Sequence, residues 1–268
     1  FDVVIVDEAS QCDLPSMFPV LYRAKKAVIV GDSRQMQAQR FAFTAGQVAQ
    51  EAWVRSGVSE FDPNLNLDPS KTDLLQLAAT RMDEEVMLDE HYRSLPKIIG
   101  FSNTEYYGEG LRVMRDADQK RIGEPKSLVT KMIKLDDAKV TLDTQENPAE
   151  AAEVIEQLRE IFRNPFYDEA SIGVICLFEE QMRMVGELVA REFSAEEIDK
   201  HSLVVVNPDG FQGDERDLIV YSLSYDADVM PRRAIAARQS RSDHIQGMLN
   251  VAFTRARDEI RIIYSTDI

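Results

Sequence analysis

Hydrophobic residues fall along this chain in short dense runs that alternate with longer stretches of wider period. Eight segments read as strands: residues 3–7, 27–31, 86–89, 128–135, 172–177, 203–207, 218–223 and 260–264. Several are unbroken Val/Ile/Leu runs, the pattern of strands covered on both faces. The clearest helix starts after Asn147, which can cap it. Pro148 suits the first helical position and Glu150 completes a capping-box pattern. Val154, Ile155, Leu158, Ile161 and Phe162 then share one face. Further helices are expected over 97–107, 180–191 and 247–255. Residues 57–71, rich in Gly, Pro and Asn, read as a long loop. Strand then helix, repeated, predicts an α/β fold with a mainly parallel sheet. A domain boundary is expected near 89–93, with about half of one domain before it (1–88) and a complete α/β domain after it (89–268). The chain opens inside a strand, at Phe1-Asp2-Val3-Val4-Ile5-Val6, which we read as the mark of a piece of a longer protein.

Composition narrows the function classes. Hydrophobic residues make up 44% of the 268, enough for a real core. No apolar run approaches the ~18 residues of a membrane span, and no basic-then-apolar start resembles a signal peptide. The two cysteines, Cys12 and Cys176, and the three histidines, His91, His201 and His244, stand in no metal-ligand spacing. Reduced, buried thiols in a cytoplasmic protein are the expectation. The net charge of −16 argues against holding nucleic acid by bulk electrostatics. It leaves open a narrow groove that grips a strand through backbone amides and a few side chains. Residues 231–261 run against the trend with a cluster of arginines, whose flanks read as a solvated face.

Four clusters carry chemistry. In Asp7-Glu8-Ala9-Ser10-Gln11, a buried strand ends in paired carboxylates: one can hold a magnesium ion, the next can reach an attacking water. A polar strand end facing solvent would look the same. In Gly31-Asp32-Ser33-Arg34-Gln35, a second strand ends in a glycine turn, and Gln35 offers both a donor and an acceptor. An ordinary strand-to-helix turn is the plain alternative. Tyr92-Arg93 supplies a flat ring and a fixed positive fork, next to a helix start marked by Ser94 and Pro96. Near the C-terminus, Asn207-Pro208-Asp209-Gly210 is a turn sequence followed by Phe211-Gln212-Gly213-Asp214-Glu215, whose glycines let backbone N–H groups approach phosphates. Asn250-Val251-Ala252-Phe253-Thr254-Arg255-Ala256-Arg257 then sets two arginines two positions apart.

These five stretches, in this order, resemble motifs II to VI of superfamily I helicases, in the branch related to the nonsense-mediated-decay RNA helicase and its bacterial relatives. The Asp-Glu-Ala-Ser-Gln, Gly-Asp-x-x-Gln, Tyr-Arg, Phe-Gln-Gly-x-Glu and Asn-Val-Ala-x-Thr-Arg-Ala-Arg patterns cover nearly the whole chain. The resemblance implies RecA-like parallel sheets flanked by helices, a tandem helicase core whose first domain is truncated. It implies ATP and Mg2+ as cofactors, held between the two domains of the parent, and DNA or RNA as partner, with travel 5′ to 3′ along a single strand. Carried over, Asp7 holds magnesium through water, Glu8 is the general base, and Gln35 senses the γ-phosphate. Tyr92 stacks near adenine, while Gly213 and Glu215 face the nucleotide. Arg93 and Arg255 are arginine fingers, and Arg257 serves the fold. Asn207 stands where relatives usually have Thr or Ser on the strand, and Met36-Gln37-Ala38-Gln39 departs from the family's usual Leu-Pro-Pro. No Gly-x-x-x-x-Gly-Lys-Ser/Thr occurs, so the piece alone is expected to be inactive, with that loop upstream in the parent. The rival expectation is a helicase-like scaffold that binds nucleic acid or protein without unwinding. A phosphate-loop ATPase that switches a partner is a weaker third.

Overall fold

A computed structural model of the chain describes residues 1–35, 51, 54, 55, 57, 72–82, 84–124, 128–135, 146–211, 213–224 and 238–265, with backbone alone for 238–245. Most of the expected loop at 57–71, and the stretch Met36-Gln37-Ala38-Gln39, lie outside these residues. The chain divides into two compact units, Phe1–Leu88 and Asp89–Ile268.

In the first unit, β1 (Val3–Val6) and β2 (Lys26–Ile29) pair in parallel, with Val3 opposite Lys26 and Val6 opposite Ile29. Between them runs α1 (Leu14–Leu21), capped by Asp13, whose Oδ1 accepts Ser16 N at 2.9 Å. After the undescribed stretch comes α2 (Leu74–Arg81), opened by a capping box between Asp73 and Gln76. Val6, Ala9, Leu14 and Leu74 form the small core.

The second unit starts with β3 (Glu90–His91), paired in parallel with β4 (Arg112–Val113) across α3 (Pro96–Tyr107). The sequence predicts a strand at 86–89, but residues 84–89 have no regular structure, and Val86, Met87 and Leu88 are exposed. A strand needs a ladder partner, and the residues paired with β4 begin only at Glu90.

The main sheet has five parallel strands in the order β5-β9-β8-β6-β7. They are β5 (Thr130–Lys134), β6 (Ile172–Cys176), β7 (Val204–Val206), β8 (Arg216–Ser222) and β9 (Ala256–Tyr264). Parallel neighbours need long crossovers, and helices supply them. They are α4 (Pro148–Arg163), α5 (Glu179–Glu192) and the short α6 (Ala195–Lys200) before β7, and α7 (Arg238–Phe253) before β9. The faces of β6 explain its all-apolar sequence. Ile172, Val174 and Cys176 pack with Val154, Leu158 and Ile161 of α4 and Val185 of α5. Ile175 turns the other way, to Leu95, Ile98 of α3 and Ala252 of α7. This is a RecA-like unit, a parallel sheet covered by helices on both faces.

Two elements run further than their patterns suggest. α7 begins at Arg238, inside a polar stretch with no apolar stripe to reveal it. β9 begins at Ala256, four residues early, because Arg257, Asp258 and Glu259 are strand residues whose charges are matched inside the fold.

Candidate functional site

In the first unit the candidate residues sit at the C-terminal ends of adjacent strands. Where β1 stops, Glu8 takes a left-handed backbone conformation, φ 50° and ψ 42°. That region is unfavourable for a residue with a Cβ and is held only when surroundings require it. The turn is braced by Glu8 N, which donates to Asp7 Oδ1 at 2.9 Å. The two strand ends are zipped together: Val30 N donates to Val6 O at 2.8 Å and Ala9 N to Val30 O at 2.9 Å. A Cβ on Gly31 would lie 3.1 Å from Ala9 N and 3.3 Å from Ser10 N, so this close approach favours glycine. Asp32 organises the next turn, with Oδ1 accepting Arg34 N at 2.8 Å and Oδ2 accepting Gln35 Nε2 at 3.0 Å. Asp7, Glu8 and Gln35 thus ride on one pair of strand ends. Asp7 is exposed there and its carboxylate is acceptor-only. That suits a magnesium ion, which takes one or two carboxylates and completes its shell with water and phosphate oxygens.

In the second unit Arg93, Glu215, Arg255 and Arg257 gather at the N-terminal ends of β8 and β9. Glu215, just before β8, accepts Nε of Arg93 on Oε2 and Nε of Arg257 on Oε1, the latter at 2.8 Å. Burial pushes the Glu215 carboxyl up, but the hydrogen bonds from Arg257 and Arg93 and their charges outweigh it and hold it below the usual carboxylate range. Arg93 Nη1 also donates to Thr254 O at 3.2 Å. Arg216 N donates to Arg255 O at 3.1 Å, and Leu95 N to Arg257 O at 3.0 Å. Segments 93–95, 214–216 and 254–257 therefore meet, although 122 positions separate Arg93 from Glu215, 161 separate it from Thr254 and 42 separate Glu215 from Arg257.

The two C-terminal arginines divide their surroundings opposite to the expectation from sequence. Arg255 is 2% exposed, and its Nε donates to Val251 O at 3.0 Å, in the last turn of α7. Arg257 is the half-buried one, paired with Glu215 and with Asp217 at 3.3 Å. Arg255 still lies in the turn that closes α7, whereas Arg257 is already in β9, where the pairing with β8 shifts register between Arg216 and Leu218. The carboxylate beside Arg93 is Glu215, while Asp89 pairs with Arg112 at 2.9 Å.

Tyr92 keeps its ring largely exposed, and its hydroxyl donates to Glu90. Gly213 has φ +81°, a conformation that glycine alone takes without strain, and a Cβ there would meet nothing within 4 Å among the described residues. Its neighbour Gln212 lies outside the described residues. Asn207 uses its Oδ1 inside its own turn, accepting Gly210 N at 2.9 Å. The register places Asn207 just past Val206, which lies opposite Ile175, whereas Glu215 precedes the pairing of Leu218 with Ile172. Asn207 and Glu215 thus belong to opposite ends of the sheet.

Sequence reasoning passed over Arg115 and Asp258. Arg115 follows a two-residue strand, and nothing in its neighbours marks it. Asp258 is hidden by the same charges that obscure the start of β9.

Two sequence families, each described as an AAA domain, match the chain at residues 70–267 and 1–41. An uncharacterized ATP-dependent helicase of Mycoplasma genitalium is 28% identical over 98% of this chain and 23% of its own length. Its homologue in Mycoplasma pneumoniae gives the same figures. Helicase SEN1 of Saccharomyces cerevisiae is 25% identical over 98% of this chain and 11% of its own length. The chain thus spans under a quarter of these relatives.

Proposed function

We propose a motor function for this chain, which belongs to the AAA domain family and to the superfamily I helicases of the branch related to the nonsense-mediated-decay RNA helicase. The chain is the downstream part of an ATP-dependent helicase or translocase that moves along a single strand of nucleic acid in the cytoplasm. The observation that carries this reading is the joining of Arg93, Glu215 and the 254–257 segment through one carboxylate, because only the fold brings these motifs together.

Each unit has its share of the chemistry. In the first, Asp7 would hold Mg2+, Glu8 would take the proton of the attacking water, and Gln35 would read the γ-phosphate. The braced left-handed turn at Glu8 keeps the base at a fixed height above the strand end. The Mg2+ supplies charge neutralisation on the phosphates when bound. In the second unit, Tyr92 offers an exposed face to the adenine, and Gly213 and Glu215 border the nucleotide. Arg93 brings positive charge to the transferring phosphoryl group, a contribution worth about 10³–10⁵ in rate where it is made by an arginine finger. Arg255 lies one residue behind the carbonyl that Arg93 touches and joins it after a shift of the buried turn. Asn207, at the other end of the sheet, borders the nucleic-acid strand.

The test uses a protein that contains this chain together with a phosphate-binding loop. Glu8→Gln keeps size and hydrogen bonding but removes the base. ATP still binds, and steady-state hydrolysis slows by about 10²–10⁴-fold. Unchanged turnover would remove Glu8 from the reaction and the motor reading with it.

A further inference from the structure

Arg115 is 8% exposed and stands two residues beyond β4. Its guanidinium makes four contacts, none to a side chain of the candidate site. Nη1 donates to Arg93 O at 2.6 Å and to Arg257 O at 3.0 Å. Nη2 donates to Gln119 O at 2.9 Å and to Asp258 Oδ1 at 2.5 Å. One planar fork therefore ties together the backbones of the two residues whose side chains share Glu215. Around it, Ser94 Oγ donates to Ala256 O at 2.7 Å and Leu95 N to Arg257 O at 3.0 Å. The other carboxylate oxygen of Asp258 is buried and has no hydrogen-bond partner among the described residues, so the charge of Asp258 is matched through Arg115.

We propose that Arg115 is a positioning residue for ATP hydrolysis, clasping the carbonyls of Arg93 and Arg257 so that both arginines point to one place. This rests on the motor reading above. The physical reason is that Arg93 and Arg257 both leave non-helical or strand-end backbone, where a small rotation swings a long side chain by ångströms. Glu215 gathers the guanidinium ends, and Arg115 fixes the roots. Guanidinium suits the task because its donors have fixed directions, whereas a lysine ammonium is a point charge that cannot span two carbonyls and a carboxylate. A misplacement of about 1 Å at a reacting centre costs about 10²-fold, so roots matter as much as tips.

The experiment uses Arg115→Lys in a protein with the complete motor. Lysine keeps a positive charge opposite Asp258 but loses the clasp. The expected result is a fall in kcat of about 10- to 100-fold with a change in KM for ATP under about threefold. In an Arg93→Ala background the same change costs less than it does alone, since one of the two arginines it positions is gone. A second variant, Arg115→Met with Asp258→Asn, removes the buried ion pair whole and leaves no lone charge. It gives the same fall in kcat. Unchanged kcat in both variants, or a loss that multiplies fully with Arg93→Ala, overturns the proposal. A parallel measurement on this chain alone follows hydrogen exchange at the Ser94 and Leu95 amides, which speeds up by about tenfold or more when the clasp is cut. Unchanged exchange there overturns the clasp whatever the activity. A complete protein that hydrolyses no ATP with Arg93 and Arg115 intact refutes the motor reading, and exchange then decides the clasp by itself.

Discussion

His91 shows how one side chain can tie the pH dependence of folding to the candidate site. Its Nε2 accepts Ser94 N at 2.9 Å, bracing the turn between Arg93 and α3. Burial depresses its pKa from 6.5 to about 4, helped by the charges of Arg93 and Arg115 and opposed by Glu215. A neutral imidazole is required, because the protonated ring has no acceptor to offer. With the folded pKa below the unfolded one, the unfolded chain binds more protons between pH 6.5 and about 4. Stability linked to His91 is therefore complete above 6.5 and is lost as pH falls toward 4. In His91→Gln the amide oxygen can accept from Ser94 N and cannot titrate. Urea midpoints measured from pH 7 to 4 should fall less steeply for that variant than for the parent chain. Equal slopes would show that His91 is not a linked group. The sequence shows Arg93 two positions from His91, whereas its burial and the charge of Arg115 arrive only with the fold.

Among elements, the start of α4 was legible in sequence, yet its neighbours were not. Asn147 caps as its pattern predicts, with Oδ1 accepting Glu150 N at 3.1 Å. The structure adds that Asn147 is wholly buried, that its N donates to Gln181 Oε1 at 2.8 Å, and that its Nδ2 donates to Ser265 Oγ at 2.7 Å. Glu150 is buried beside it. Burial raises its pKa although Ser265, Ser224 and Ser222 all donate to its carboxyl group. This cap is thus one corner of a polar knot at the C-terminal ends of β8 and β9. An exposed cap replaced by alanine costs about 1 kcal/mol. Here the replacement also strands buried partners, so Asn147→Ala should lower unfolding stability by about 2–4 kcal/mol. Urea denaturation reads this directly. A loss near 1 kcal/mol would mean that the knot relaxes around the gap.

For the molecule as a whole, the two units differ in how much they bury. Among the described residues, the core of the first unit centres on Val6, Ala9, Leu14 and Leu74, while Val3, Ile5 and Val28 on its strands stay exposed. The second unit has two extensive apolar clusters, one on each face of a five-stranded sheet. Local opening is easiest where few apolar contacts must break. Hydrogen exchange of this chain should show β1, β2 and α1 exchanging well before β6, β8 and β9. Uniform protection across both units would refute that ranking.

The sequence by itself determined the periodic elements, the parallel α/β class and the family. Buried parallel strands leave unbroken Val/Ile/Leu runs, and the motifs that mark the family, among them Asp7-Glu8, Gly31, Tyr92-Arg93 and Arg255, stand at fixed offsets that can be read in line. Tertiary structure alone decided which arginine is buried, which carboxylate joins Arg93, and where β9 begins. Charge pairing over long sequence separation leaves no local pattern: Arg93 finds Glu215, and Arg115 finds Asp258, only once β4, β8 and β9 have been brought together. A charged run such as Arg257-Asp258-Glu259 reads as surface until each member's partner is in place, because the cost of burying a charge depends on the partner and not on the residue itself.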